Sequence, residues 1–170
     1  KGNVIRSFSS TDSLYKIPEV NIPLYWIRPQ SVLPATAGAH RFLWDLKYTP
    51  INIPVNYLMT AVKNNTAPDV TAPWVMPGSY TITLQVNGKT YAQPLQIKMD
   101  PRVKTSMQDL QKQHDLSMIC YEGRKKTIDK NPALFRKFSA LFEILEQTEM
   151  PPTTQVINAV LAAQKELDGK

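Results

Sequence analysis

The dipeptide Asn87-Gly88 constrains this chain more than any other pair of residues in it. Before it, Tyr80, Ile82, Leu84 and Val86 alternate with Thr81, Thr83 and Gln85; after it, Tyr91, Leu95, Ile97 and Met99 carry the return. Alternation with period 2 puts successive side chains on opposite faces of a strand. Asn-Gly supplies the two positions of positive φ that a type I′ hairpin turn requires. Pro77-Gly78 sets a sharp bend just ahead of the first strand.

After "MDPR" the period changes to that of a helix. Ser106 with Asp109 forms the acidic variant of a capping box, and Met107, Leu110, His114, Met118 and Tyr121 share a helical face. Gly123 and the charged run "RKKTIDK" are expected to weaken or end this helix. Asn131-Pro132 reads as an N-cap followed by proline at the first helical position. Behind it, Leu134, Phe135, Phe138, Leu141, Phe142 and Leu145 form an apolar stripe. Pro151-Pro152 breaks that helix, and Thr153 or Thr154 caps a third, with Val156, Ile157, Val160, Leu161 and Leu167 along it. Three amphipathic helices with short joints predict a helical hairpin or a three-helix bundle.

Upstream of the hairpin the chain is rich in proline, with 14 prolines against 6 glycines overall and most of the prolines before Pro101. Proline tolerates edge strands and extended connections but breaks helices. "NVIRSFSSTD" reads as a short strand over 3–8, and "GAHRFLWDLKY" as a strand with His40, Phe42, Trp44, Leu46 and Tyr48 on one face. From Thr49 to Pro77 the period is lost, as in a connection that crosses between sheets or supplies a functional loop. The expected fold class is α+β: an antiparallel immunoglobulin-like β-sandwich over 1–103, then a helical tail over 104–170. Gly2 reads as the end of a turn, so the chain looks like an internal fragment of something longer. A strand at 3–8 is then expected to lack a neighbour on one side.

A hydrophobic content of 42% is enough for a core. The formal charge of +6 permits acidic partners, but no nucleic-acid recognition motif accompanies it, and no run approaches the roughly 18 apolar residues of a membrane span. Neither nucleic acid nor a membrane span is expected. Cys120, in "LSMICYEG", reads as a buried helical thiol rather than a nucleophile. His40 and His114 lack neighbours at metal-ligand spacing, so neither a metal nor a cofactor is expected. Glu143 and Glu146 sit one helical turn apart on a solvated face, not across a cleft as glycoside hydrolysis demands. No catalytic residue is assigned. Arg124, Lys125, Lys126, Lys130, Arg136 and Lys137 read as a solvated face between helices.

The aromatics are more informative. Trp44 alternates with apolar partners and reads as core, whereas Tyr25, Trp26, Tyr48 and Trp74 are candidate docking or binding residues. Trp26 and Trp74 lie in proline-rich connections, where three roles stay open: stacking on a sugar, packing on another domain, or plugging an end of the sandwich. Trp74, held between Pro73 and Pro77, is expected to be partly exposed and near Tyr25 or Trp26.

"VIRSFSSTD", "IPLYW", "GAHRFLWDLKY", "APWVMPGSYTITLQVNGKTYAQPLQIKMDPRVKTS" and "DLQKQHDLS" together resemble the carboxy-terminal region of large exported bacterial proteins. The amino-terminal part of those proteins is a β-propeller of Asp-box (BNR), sialidase-like or sortilin-like repeats. The β part is also similar to the immunoglobulin-like module of the flagellar hook-capping protein, through Trp44-Asp45 and the Pro-Gly-x-Tyr motif of Pro77 to Tyr80. The resemblance implies a non-catalytic accessory module, extracytoplasmic, partnered by an upstream β-propeller in cis or by another protein. It carries over no catalytic residue; the glycosyl hydrolase label such proteins often bear belongs to the propeller. The alternative is a carbohydrate-binding module of a secreted glycoside hydrolase.

Overall fold

The computed structural model describes residues 2–13, 32–53, 72–148 and 150–169. Contacts divide the chain into two units, 1–73 and 74–170. The second holds all the regular elements found among the described residues: β1 (Gly78–Val86), β2 (Lys89–Ile97), α1 (Met107–Thr127), α2 (Pro132–Glu146) and α3 (Thr154–Leu167).

The hairpin forms as its sequence predicts. β1 and β2 pair antiparallel in unbroken register from Gly78↔Ile97 to Val86↔Lys89. Between them Asn87 has φ 49° and Gly88 φ 74°, the two left-handed positions of a type I′ turn. Tyr80 and Leu95 at the base are half-buried, and burial is lost towards the turn.

The expected β-sandwich is not found among the described residues. Among the described residues there is one two-stranded sheet, so the arrangement is a small α+β one rather than an immunoglobulin-like sandwich. The reason lies in residues 40–48, whose alternation does not become a strand. Leu46 turns to φ 59°, Asp45 Oδ1 accepts from the Lys47 N–H at 3.2 Å, and Trp44 Nε1 donates to the Lys47 carbonyl at 3.0 Å. Local side-chain-to-backbone bonds of this kind compete with a ladder. Residues 3–8 form no strand either, so the expected unpaired strand edge does not arise there. That segment is held by side chains: Arg6 Nη1 donates to the Tyr48 carbonyl at 3.2 Å, and the Phe8 and Phe42 rings meet edge-on at 4.7 Å.

In the second unit each helix starts on the predicted cap. Ser106 accepts from the Asp109 N–H, Asn131 from that of Leu134 with Pro132 following, and Thr153 from that of Val156. Each of these bonds satisfies a backbone donor that has no partner within the helix. α1 does not weaken at Gly123 but runs through it to Thr127, against expectation. A Cβ on Gly123 would lie 2.6 Å from the Phe138 ring, so the glycine is a point of close approach between α1 and α2. The buried face of α1 is therefore rotated from the predicted one. It carries Leu116, Cys120, Gly123 and Thr127 beside Leu110, Tyr121 and Arg124, while Met107 is 53% exposed.

Each helix touches both others, closing a three-helix bundle around Phe138, Phe142, Leu145, Val160 and Ala163. The amino-terminal half of α1 is fastened by Gln113, whose Nε2 donates to the Leu145 carbonyl and, at 2.6 Å, to that of Thr148. These carbonyls lie at and just past the carboxy-terminal end of α2, where no helical partner is available. Across the bundle, Lys137 of α2 pairs with Glu166 of α3 at 2.8 Å, an exposed pair of small energetic weight.

Two outcomes follow from this packing. Gly123→Ala gains about 1 kcal/mol of helix propensity but forces a methyl into the Phe138 ring, and such overpacking costs about 1–3 kcal/mol. A net loss of stability is expected in urea unfolding; a gain would show that the ring can step aside. The second concerns His114, whose side chain is 14% exposed. Burial holds its pKa below the ordinary 6.5, only partly opposed by Asp115. A depressed histidine pKa means the unfolded chain binds the proton more readily. Its stabilising contribution is thus fully present above pH 6.5 and is lost as pH falls through the lowered folded value. Unfolding free energy should decline with acidification over that window, and His114→Gln should flatten the slope; parallel profiles for the two proteins would refute it.

Candidate functional site

The four aromatics singled out in the sequence do not form one described site. Tyr25 and Trp26 lie outside the described residues, and so does the expected proximity of Trp74 to them. Tyr48 belongs to the first unit and is half-buried; its N–H donates to the Pro73 carbonyl at 3.0 Å and its own carbonyl accepts from Arg6. Its backbone is a structural tie. Trp74 belongs to the second unit and is 50% exposed, in line with the expected partial exposure. Trp44 is half-buried, with its indole N–H held by the Lys47 carbonyl.

The basic run is not the uniform solvated face that was expected. Arg124 is buried at 5% exposure, with its guanidinium carbon 4.7 Å from the Phe142 ring centroid and 6.0 Å from that of Phe135. A guanidinium is planar and weakly hydrated, so it can lie on an aromatic face where a lysine would lose its water. Burial lowers its pKa, while Cys120, Glu146 and Tyr121 oppose that shift. Lys125 pairs with Glu122 at 3.1 Å, and Lys126, Lys130 and Arg136 remain on the surface. Position could have revealed Arg124 in the sequence: it follows Tyr121 by three residues and Cys120 by four, which places it on the face that carries them.

Cys120 is fully buried and its thiol is pushed up to about 12, chiefly by desolvation, with Arg124 opposing. It stays protonated at neutral pH, where only a thiolate attacks. Glu143 is exposed and accepts from Gln147 Nε2 at 2.9 Å, while Glu146 is half-buried near Arg124. The two carboxyls do not face each other across a cleft. No three potential metal ligands converge among the described residues. An open cleft of about 300 Å³ lies among the three helices, lined by Met118, Ile119, Phe138 and Leu167 together with Glu122, Lys126, Gln164 and Asp168. That volume is at the small end for ligand sites.

The hairpin offers the clearest surface feature. Ile82, Leu84 and Val86 of β1 and Tyr91 of β2 lie on one face and are 53%, 48%, 46% and 51% exposed. The opposite face pairs Ser79 with Gln96, Thr83 with Ala92 and Gln85 with Thr90. Among the described residues the strands pack chiefly on each other and the helices on each other, and the apolar tip stays half-exposed. The sequence displayed this stripe plainly, but as the expected inner face of a sandwich. Among the described residues no helix is long and apolar enough to cross a membrane. Comparison with known protein families, curated proteins and solved structures finds no match to this chain.

Proposed function

We propose that the chain is a non-catalytic interaction module that docks through the apolar face of the hairpin. Its setting is the one the sequence resembles: an exported, extracytoplasmic bacterial protein in which it follows a β-propeller and packs on that propeller or on another protein. The observation that carries this reading is the exposed quartet Ile82, Leu84, Val86 and Tyr91 on one face of a two-stranded sheet. An isolated two-stranded hairpin is marginally stable in water and gains from cover. Burying the exposed half of each side chain is worth about 1 kcal/mol by the usual area relation. Four such residues side by side make a usable docking patch. The protonated, buried Cys120, and Glu143 and Glu146 set one turn apart on a single helix rather than across a cleft, fit a module without its own chemistry.

Amide exchange tests it. Hairpin amides should exchange more slowly in the intact polypeptide than in the 170-residue chain, and Leu84→Asp should restore fast exchange. Equal exchange in the two would overturn the docking role. The half-exposed indole of Trp74 favours a second reading, a carbohydrate-binding module of a secreted glycoside hydrolase in which Trp74 stacks on a sugar ring. Glycan binding that Trp74→Ala abolishes without changing the fold would put that reading first.

A further inference from the structure

The two outer edges of the hairpin are not equivalent. Val86↔Lys89 closes a two-residue turn and is therefore a hydrogen-bonded pair, and bonded and non-bonded pairs alternate away from it. The outward N–H and C=O groups of β1 are thus those of Ser79, Thr81, Thr83 and Gln85. On β2 the outward position opposite Thr81 is Pro94, which has no N–H to offer, and Lys89 and Lys98 flank the strand. Proline and lysine are the devices that keep an edge from pairing. β1 has neither, nor any charge, from Gly78 to Val86.

We propose that β1 pairs antiparallel with β1 of a second copy of this chain, about a two-fold axis at Ile82, joining two hairpins into a four-stranded sheet. The pairing uses the backbone edge of the hairpin and leaves its apolar face open, so it goes beyond the docking reading above. β1 is self-complementary in this arrangement. A nine-residue strand paired about its midpoint uses its full length, and the symmetry matches even positions with even and odd with odd. Tyr80 then faces Leu84 of the partner subunit, and Thr81 faces Thr83 of the partner subunit. Aromatic–aliphatic and Thr–Thr neighbours are favourable cross-strand pairs, and no like charges meet. Thr81 and Thr83 bring their outward N–H and C=O groups into the new ladder, while the two Ile82 side chains meet at a non-bonded pair, where side chains come closest. The apolar faces of both hairpins become one continuous surface, larger than either copy presents alone. A strand of a different protein would fit the backbone edge equally well but would have no reason to match this symmetry.

Sedimentation and cross-linking of the 170-residue chain decide it. The chain should sediment at twice its 19.3 kDa mass. Thr83→Pro, which removes an outward N–H of β1 without touching the ladder to β2, should give the monomer; Ala92→Pro, the matching change on the β2 edge, should leave the dimer. Ile82→Cys should oxidise to a covalent dimer, a readout that does not depend on the proline variants folding. A chain that is monomeric at its highest soluble concentration, or a dimer in which Ile82→Cys does not cross-link, overturns the self-pairing. Slower exchange of hairpin amides in the intact polypeptide would still uphold docking through the apolar face, so the two readings fail separately.

Discussion

The contact between Gly123 and the ring of Phe138 sets the geometry of the helical half. With room for only a hydrogen at residue 123, α1 and α2 approach until the ring lies within 2.6 Å of where a Cβ would be. Phe138 is then fully buried, and so are Cys120, Val160 and Ala163, the small and medium side chains that close the bundle around it. Arg124, the next residue along, is carried inward by the same approach and ends on the face of Phe142. At the far end of the pair, Gln113 bonds the carbonyls of Leu145 and Thr148. α1 and α2 are thus pinned at two separated points, one steric and one polar, which fixes both their distance and their antiparallel alignment. α3 contributes Val160 and Ala163 to an interface whose position the other two helices have already defined.

The hairpin is governed by different physics. Its turn and register follow from local chemistry: Asn87 and Gly88 accept left-handed φ at little cost, and the alternation matches the pleat. Among the described residues its tip stays half-exposed. The backbone pairs within the hairpin, while Ile82, Leu84, Val86 and Tyr91 remain half-exposed. The same period that makes β1 a strand therefore gives it an exposed apolar face. A domain core would have hidden this face; here it is the most distinctive feature presented to other molecules.

Much of the local structure was legible in the sequence. Ser106, Asn131 and Thr153 were readable as caps because capping depends on a side chain and a backbone N–H only a few residues apart. The stripe of α2 was readable for a similar reason: every member except half-buried Phe135 is buried. The failures have equally specific causes. The period over 40–48 was real, yet the left-handed Leu46 and the Trp44 bond to Lys47 turn it into a bend, and with that strand goes the sandwich. Propensity makes Gly123 a helix weakener, whereas what matters there is the distance to Phe138, a residue on another helix. Arg124 was read with its charged neighbours, although helical spacing sets it on a different face from Lys125 and Lys126.

By itself the sequence determined the elements whose causes are local: the Asn87-Gly88 hairpin, three capped helices and the apolar stripes of β1 and α2. Only the tertiary structure decided which stripes meet a partner. It buried the faces of α1, α2 and α3 on one another, drew Arg124 inside, and left Ile82, Leu84, Val86 and Tyr91 in water. The physical reason is that periodicity states which side of an element is apolar, whereas burial requires a second surface at contact distance. Whether such a surface exists depends on packing between residues far apart in the chain, which no local pattern encodes.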